Sequence, residues 1–431
     1  MKNCHRIRLT IVLNLLFAFG SVTADPVDDT FGFDLERMTS LSPPIGTVIG
    51  KDNVEKYTSI IDKNLVDLLR QDLFTITVGE PLSVPQHPAY IEATRKHSNQ
   101  TALGDKPGVI LNYVAGRPFV FEPNADDPRA GDKMAWNFRY TYGTDGGELP
   151  LMFWQYRSMK RDKVERELSF TARSLRFMHR HTFDPKPELP VNPSKIYNAL
   201  YLRVLAPPDV RSTQVLIHRL EDDLQLEQTW LYVGTHRRVR RLAAGQTTDA
   251  FLGSDIMIED FLGYNGRISV MDWSYHGTVN ALVPFYRYSD LEVSERKGRD
   301  GYKFLNFHGK GKCFPDVTWS MRKMYILEAH PHWDRHPLSV RRYYVDAQTY
   351  FIVYGNFYDR SDRLWKVAYA TFSHPDYHQP ENKFAGHPVV DGVTTVDIQA
   401  EHCTTIQMQA IPSRNTRPTD FTVQALRKLG R

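Results

Sequence analysis

The sequence is poor in cysteine and, past its first residues, has no long apolar run. Three cysteines, Cys4, Cys313 and Cys403, occur in 431 residues. After Ala24 no stretch approaches the roughly 18–20 apolar residues that a membrane-crossing helix needs. Short catalytic patterns are missing as well. There is no G-x-S-x-G, no G-x-x-x-x-G-K-[ST], no H-E-x-x-H and no C-x-x-C. Gly309-Lys310-Gly311-Lys312 lacks both the upstream glycine of a phosphate loop and its following Ser or Thr. No enzyme activity, metal or cofactor is therefore expected. Low-complexity tracts are absent, and 41% apolar with 12% aromatic residues is too much for a disordered chain.

Charge is nearly balanced, 54 Lys+Arg against 50 Asp+Glu, for a formal +4. Lys2, Arg6 and Arg8 precede the mostly apolar run from Leu9 to Phe19, and Val22-Thr23-Ala24 ends it with small residues. That order reads as a secretory signal peptide over 1–24, followed by export to the periplasm. Its loss removes three charges, and 4 − 3 leaves +1. A nearly neutral chain has no electrostatic footprint for nucleic acid. Cys4 leaves with the leader. In an oxidising compartment Cys313 and Cys403 form either one disulfide closing a long loop or two buried thiols.

Residues 25–50, with Pro43-Pro44 and Gly46, read as an extended arm, 51–412 as a single large domain, and 413–431 as a tail. Val54, Tyr57, Ile61, Leu65 and Leu68 predict an amphipathic helix to about Leu69, capped by Asn53. A weaker helix runs from Pro88 to about His97. From Ile110 onward short β-branched and aromatic segments alternate with turns. Tyr201–Leu205, Gln214–Leu220 and Trp230–Leu242 read as strands, and 341–372 as a three-stranded meander. The fold class is α+β: a large curved antiparallel sheet, a half-open barrel with helices packed in or across its concave face. Such a fold can leave an apolar cavity.

Trp136, Phe138, Tyr140 and Tyr142 alternate, which predicts a strand. Trp136, Phe138 and Tyr140, with Trp230, Tyr232 and Trp273, are candidates for lining that cavity; the alternative is ordinary core. Arg237, Arg238, Arg240 and Arg241 form the strongest charge feature. On a strand Arg237, Val239 and Arg241 face one way, and Arg238 and Arg240 the other. They contact an anionic head group, a phosphate or an acidic partner, or they are a solvated face paired with Glu221 or Asp223. His330, His332 and His336, then His374, His378 and His387, are clustered, but Pro331, Pro337 and Pro375 place them on loops. They read as structural.

Longer patterns carry a resemblance. In order they are Gly116-Arg-Pro-Phe119, Asp126-Asp-Pro-Arg-Ala-Gly131, Ala135-Trp-Asn-Phe-Arg-Tyr140, Trp230-Leu-Tyr-Val-Gly-Thr235, Asp260-Phe-Leu-Gly-Tyr-Asn-Gly266, Met271-Asp-Trp273, Val283-Pro-Phe-Tyr286, Arg341-Arg-Tyr-Tyr-Val-Asp346 and Leu364-Trp-Lys-Val367. Together they resemble a Gram-negative family of secreted proteins, domain of unknown function 1329. The resemblance implies a fold similar to the periplasmic carrier and outer-membrane receptor of lipoprotein sorting (the Lol system). Those are incomplete barrels whose apolar cavity takes acyl chains. It implies a lipid or lipoprotein cargo, and partners such as an exporter of the resistance-nodulation-division type or an outer-membrane protein. It supplies no catalytic residue. A carrier, or a scaffold docked to an exporter, is the function it points to.

Overall fold

The computed structural model describes residues 25–429 apart from 85, 142, 235–237, 243–246, 262, 292–295, 297, 299–300 and 384. The expected leader, Tyr142 and Arg237 lie outside the described residues.

Sixteen strands form one sheet among the described residues. They are β1 Val48–Ile49, β2 Ile76–Val78, β3 Gly146–Ser158, β4 Lys163–Arg176, β5 Ile196–Ala206, β6 Gln214–Leu220, β7 Gln228–Val233, β8 Arg238–Arg241, β9 Met271–Val283, β10 Phe285–Tyr286, β11 Thr318–Pro331, β12 Leu338–Asp346, β13 Ile352–Asp359, β14 Leu364–Ser373, β15 Val389–Asp397 and β16 His402–Pro412. The long strands run in the order β9-β11-β12-β13-β14-β15-β16-β3-β4-β5-β6-β7-β8. Every pairing along that path is antiparallel. Short β2 and β10 add in parallel to β11 and β14. Among the described residues the sheet does not close: β9, β2 and β1 flank β11 on one side, and β8 is the other end. The meander read in the sequence is β12, β13 and β14. Joining the two halves is β16, which pairs with β3 from His402↔Ser158 to Pro412↔Gly147.

The helices are few: α1 Pro26–Thr30, α2 Leu35–Leu41, α3 Lys63–Arg70, α4 Pro88–His97, α5 Ala130–Thr141 and α6 Val423–Leu429. Two corrections follow. The arm expected to be extended contains α1 and α2, because Asp25 and Asp34 accept from the amides of Val27 and Arg37 and cap both helices. The helix expected from Val54 is divided into a 3₁₀ turn, Val54–Tyr57, and α3. Asp62 restarts it by accepting from the amides of Asn64 and Leu65, and its carboxylate also takes Tyr344, Tyr354 and Asn356 from β12 and β13. Asn53 makes no helix cap; its side chain accepts from the Gly50 amide instead.

Directly opposed residues share a face of the sheet. On one face, here called inner, Trp154, Phe170 and Ile406 pack with Val215, Ile217 and Phe251. Farther along the same face, α5 packs with Tyr325, Leu327, Tyr343 and Phe357. The outer face carries α3 with Trp319, Tyr354 and Tyr369 in one half, and α6 with Leu175, Tyr201 and Leu216 in the other. The disulfide Cys313–Cys403, spanning 90 residues of sequence, sits on the outer face where Cys403 opposes Arg157 and Val396.

Candidate functional site

The alternating aromatics do not form a strand. Trp136, Phe138 and Tyr140 lie on α5, all buried. Nearly every residue of α5 is buried, so it shows no polar face and its spacing carries no readable period. Gly131 lets it lie against β9: a Cβ there would stand 2.3 Å from the Trp273 carbonyl oxygen. Asn137 locks the other side, accepting from the Phe119 amide at 2.9 Å and donating to its carbonyl at 2.8 Å. α5 thus fills the inner face of the β9–β13 half.

The inner face of the other half is covered in part by Phe251, Ile256 and Phe261, and among the described residues it leaves two cavities. A cavity of about 480 Å³ lies between β6, β7 and the segment 247–267, lined by Val215, Ile217, Leu231, Phe251, Phe261 and Met271 among others. A second, of about 250 Å³, lies between the end of α5 and β3–β6, lined by Phe138, Leu149, Leu200, Ile217 and Met408. Ile217 borders both. The larger cavity has a partly exposed apolar rim, with Leu226 47%, Leu252 37% and Trp333 49% exposed.

Of the six aromatic candidates, Phe138 borders a cavity. Trp136, Tyr140 and Trp273 are packed in the α5 core, and the Trp273 indole donates to the Ile268 carbonyl at 3.0 Å. Trp230 and Tyr232 belong to the outer face. Trp230 packs with Leu216 and Val239. Tyr232 stands opposite Gln214, which donates to the Leu426 carbonyl of α6.

The stretch 230–242 is a hairpin, β7 and β8, rather than one strand, with Gly234 in the turn. Arg241 opposes Trp230 and lies over its ring at 5.9 Å. Arg238 and Arg240 point the other way: Arg240 opposes Leu231, which lines the larger cavity. Arg238, Arg240 and Arg241 are exposed, and none makes an ion pair with an acid among the described residues. The acids considered as their partners are placed elsewhere, Asp223 near Arg139 at 3.5 Å.

A buried ionic group stands on the wall of the larger cavity. Arg341 bonds Glu259 and reaches Asp260 at 3.2 Å, and His336 Nε2 meets Glu259 at 2.8 Å. Burial acts to raise the Glu259 carboxyl, but the Arg341 charge and the His336 hydrogen bond prevail and hold it at about 2. The group fixes the 258–260 turn to β12, which is a positioning role. The other clustered histidines are scattered: His332 on Asp272 at 2.7 Å, His374 on the Ser83 carbonyl at 3.0 Å, His378 against Asn382 at 2.9 Å. No group of three or more His, Cys, Asp or Glu among the described residues is arranged to hold a metal ion.

The sequence reading missed Arg139, Arg176 and Arg219, which line the smaller cavity. Arg219 stands in Val-Leu-Ile-His-Arg-Leu of β6 and Arg139 amid the aromatics of α5, whereas Arg176 ends β4, a strand with several other charges, and gave no such signal. For the first two, a lone charge in an apolar run was the available signal.

Residues 48–427 match the family model described as "Protein of unknown function (DUF1329)". The chain belongs to this family. An uncharacterized protein of Pseudomonas aeruginosa is 23% identical over 359 residues, which is 79% of this chain and 72% of that protein. A solved DUF1329 family protein from Desulfovibrio piger is 18% identical, covering 69% of this chain and 98% of that one, with a TM-score of 0.48. A putative outer membrane lipoprotein-sorting protein domain from Vibrio parahaemolyticus is 14% identical over 70% of this chain and 100% of that one, TM-score 0.46. No helix among the described residues is long and apolar enough to cross a membrane.

Proposed function

We propose that this DUF1329 protein is a non-enzymatic carrier, or envelope-transport accessory, that binds a hydrophobic molecule such as a lipid or lipoprotein acyl chain on the inner face of its open sheet. The observation that carries this reading is the cavity left on the inner face of the β3–β7 half. There an apolar cavity of about 480 Å³ opens beside exposed Leu226, Leu252 and Trp333. That volume lies within the usual range of roughly 300–1,000 Å³ for ligand sites. Binding of this kind needs complementary apolar surface and no nucleophile. The leader-like first residues support a periplasmic setting, where water-insoluble molecules must be shielded between two membranes.

Purified protein is expected to carry lipid in native mass spectrometry, and delipidated protein to bind a fluorescent acyl probe at micromolar concentration. Val215→Trp, which projects a larger side chain from the wall of the larger cavity, should weaken that binding at least tenfold. Delipidated protein that binds no acyl probe overturns the reading.

A second reading, a scaffold docked to an exporter or outer-membrane partner, is favoured by one observation. The edge strand β8 presents Arg238 and Arg240 without acidic partners among the described residues. Reversal of both to Glu should abolish capture of that partner and leave acyl binding unchanged.

A further inference from the structure

The inner face of β4, β5 and β6 is graded along the strands. At one end Arg176 opposes Asn198 and Asn198 opposes Arg219, a cross-strand row of two guanidiniums and an amide. The next row is Ser174, Leu200 and Ile217, and the one after it Ala172, Leu202 and Val215. Rows on one face are two residues apart, about 7 Å. Polarity therefore falls from cationic to wholly apolar within about 14 Å, and Ile217 and Val215 lead on into the larger cavity. Arg139 of α5 borders the same smaller cavity.

The Arg139 guanidinium is incompletely matched. Arg139 gives Nη2 to the Gly266 carbonyl and meets Asp223 at 3.5 Å, the long limit of a hydrogen bond, while its buried Nε has no partner. Asp223 in turn accepts the Ser269 amide at 2.8 Å. Arg219 bonds Glu227 through Nη2. Burial first, and then the charge of Arg139, pull Arg219 down to about 9. Arg176 reaches His181 Nδ1 at 3.3 Å and lies over the Tyr197 ring at 5.9 Å; burial acts to lower it, but Tyr197 and then Asp145 prevail and raise it. The carboxylate on the cavity wall is Glu148, which stands 3.9 Å from Arg173 and accepts from Ser413. A guanidinium offers five donors in a planar fork suited to a carboxylate or phosphate.

We propose that the Arg176–Asn198–Arg219 row, with Arg139, is a head-group site for a single-chain amphiphile with an anionic head, its tail lying along Leu200, Ile217 and Val215 towards the larger cavity. This rests on the carrier reading and specifies its ligand. The head is a carboxylate or a phosphate, and the choice between them is one arm of the test.

Titration calorimetry of the delipidated full chain with decanoate, decyl phosphate and decanol is the experiment. Both anions should bind at least about tenfold more tightly than the alcohol, the scale of one charge-assisted hydrogen bond in a buried site. The tighter of the two names the head. Arg176→Gln and Arg219→Gln should each reduce that preference while decanol binding persists. If decanol binds as well as both anions, the head-group site is wrong and the carrier reading stands. If none of the three binds, both fail. A folded Arg176→Gln/Arg219→Gln protein that keeps the full preference places the head elsewhere and overturns the assignment. The three-ligand series on unaltered protein decides the question even where a variant does not fold.

Discussion

Asp391 sits buried on β15. Its carboxyl takes hydroxyl hydrogen bonds from Tyr286 and, at 2.7 Å, from Thr371. Burial pushes it up to about 7. The folded state thus keeps a proton that the unfolded chain sheds near 4. The stability this provides is present in full below about pH 4 and is lost as pH climbs through about 7. Asp391→Asn has no such proton, so its urea midpoint should fall less than that of the unaltered protein between pH 4.5 and 7.5. Parallel pH profiles would refute the shift. His378 stands 3.8 Å from the same carboxyl, but burial drives it to about 3, so it remains neutral across that window. None of this is readable from the sequence, where Asp391 lies between Val390 and Gly392 and reads as a strand-end or turn residue. Arg176 was hidden in the same way, and so was its place in one row with Asn198 and Arg219: pattern shows which residues alternate, and only register shows which of them share a row.

At the scale of elements, α6 shows how the two faces separate structure from binding. It lies on the outer face, where Phe421 and Leu426 cover Leu175, Tyr201 and Leu216. The cavities open on the other face. Removal of residues 418–431 should cost about 3–6 kcal/mol, from two buried side chains at roughly 1.5–3 kcal/mol each. Acyl-probe affinity measured well below the new melting temperature should stay within about twofold. A large loss of affinity in a folded truncation would show that the outer face supports the cavities. α4, with one exposed side, was legible, and so were the meander β12–β14 and β5 with β6, because turn residues set off their β-branched and aromatic runs. α5, buried on nearly all sides and without such punctuation, was not. α5 was read as a strand because its aromatics at 136, 138 and 140 fit period two as well as a helix with no polar face. α1 and α2 were missed because they are short and set by single aspartate caps.

For the whole molecule, the Cys313–Cys403 bond ties the segment before β11 to the last strand of the sheet, across 90 residues. Replacing both cysteines by serine should lower stability by about 2–4 kcal/mol, seen as a lower melting temperature that no longer responds to reductant. An unchanged melting curve for the unaltered protein in reductant would mean that the bond adds nothing. The fold class was legible because strand texture fills the chain from Ile110 onward. The cavity on the inner face of β3–β7 was not, because a strand that faces a cavity and one that faces a core present the same alternation.

The seam between β16 and β3 has a consequence for how the chain is made. β3 emerges from a ribosome or a translocation pore long before β16, which flanks it and follows β4–β15. Until then β3 has β4 on one side and an open row of amides and carbonyls on the other. So wide a separation between partners slows sheet formation, and an unpaired edge invites pairing with other chains. Strands β3 to β8 pair each with the next in sequence. The cavity they wall also needs Met271, Pro331, Trp333 and His336, so its strands are paired before the cavity is complete, and the flank of β3 stays bare until β16 arrives.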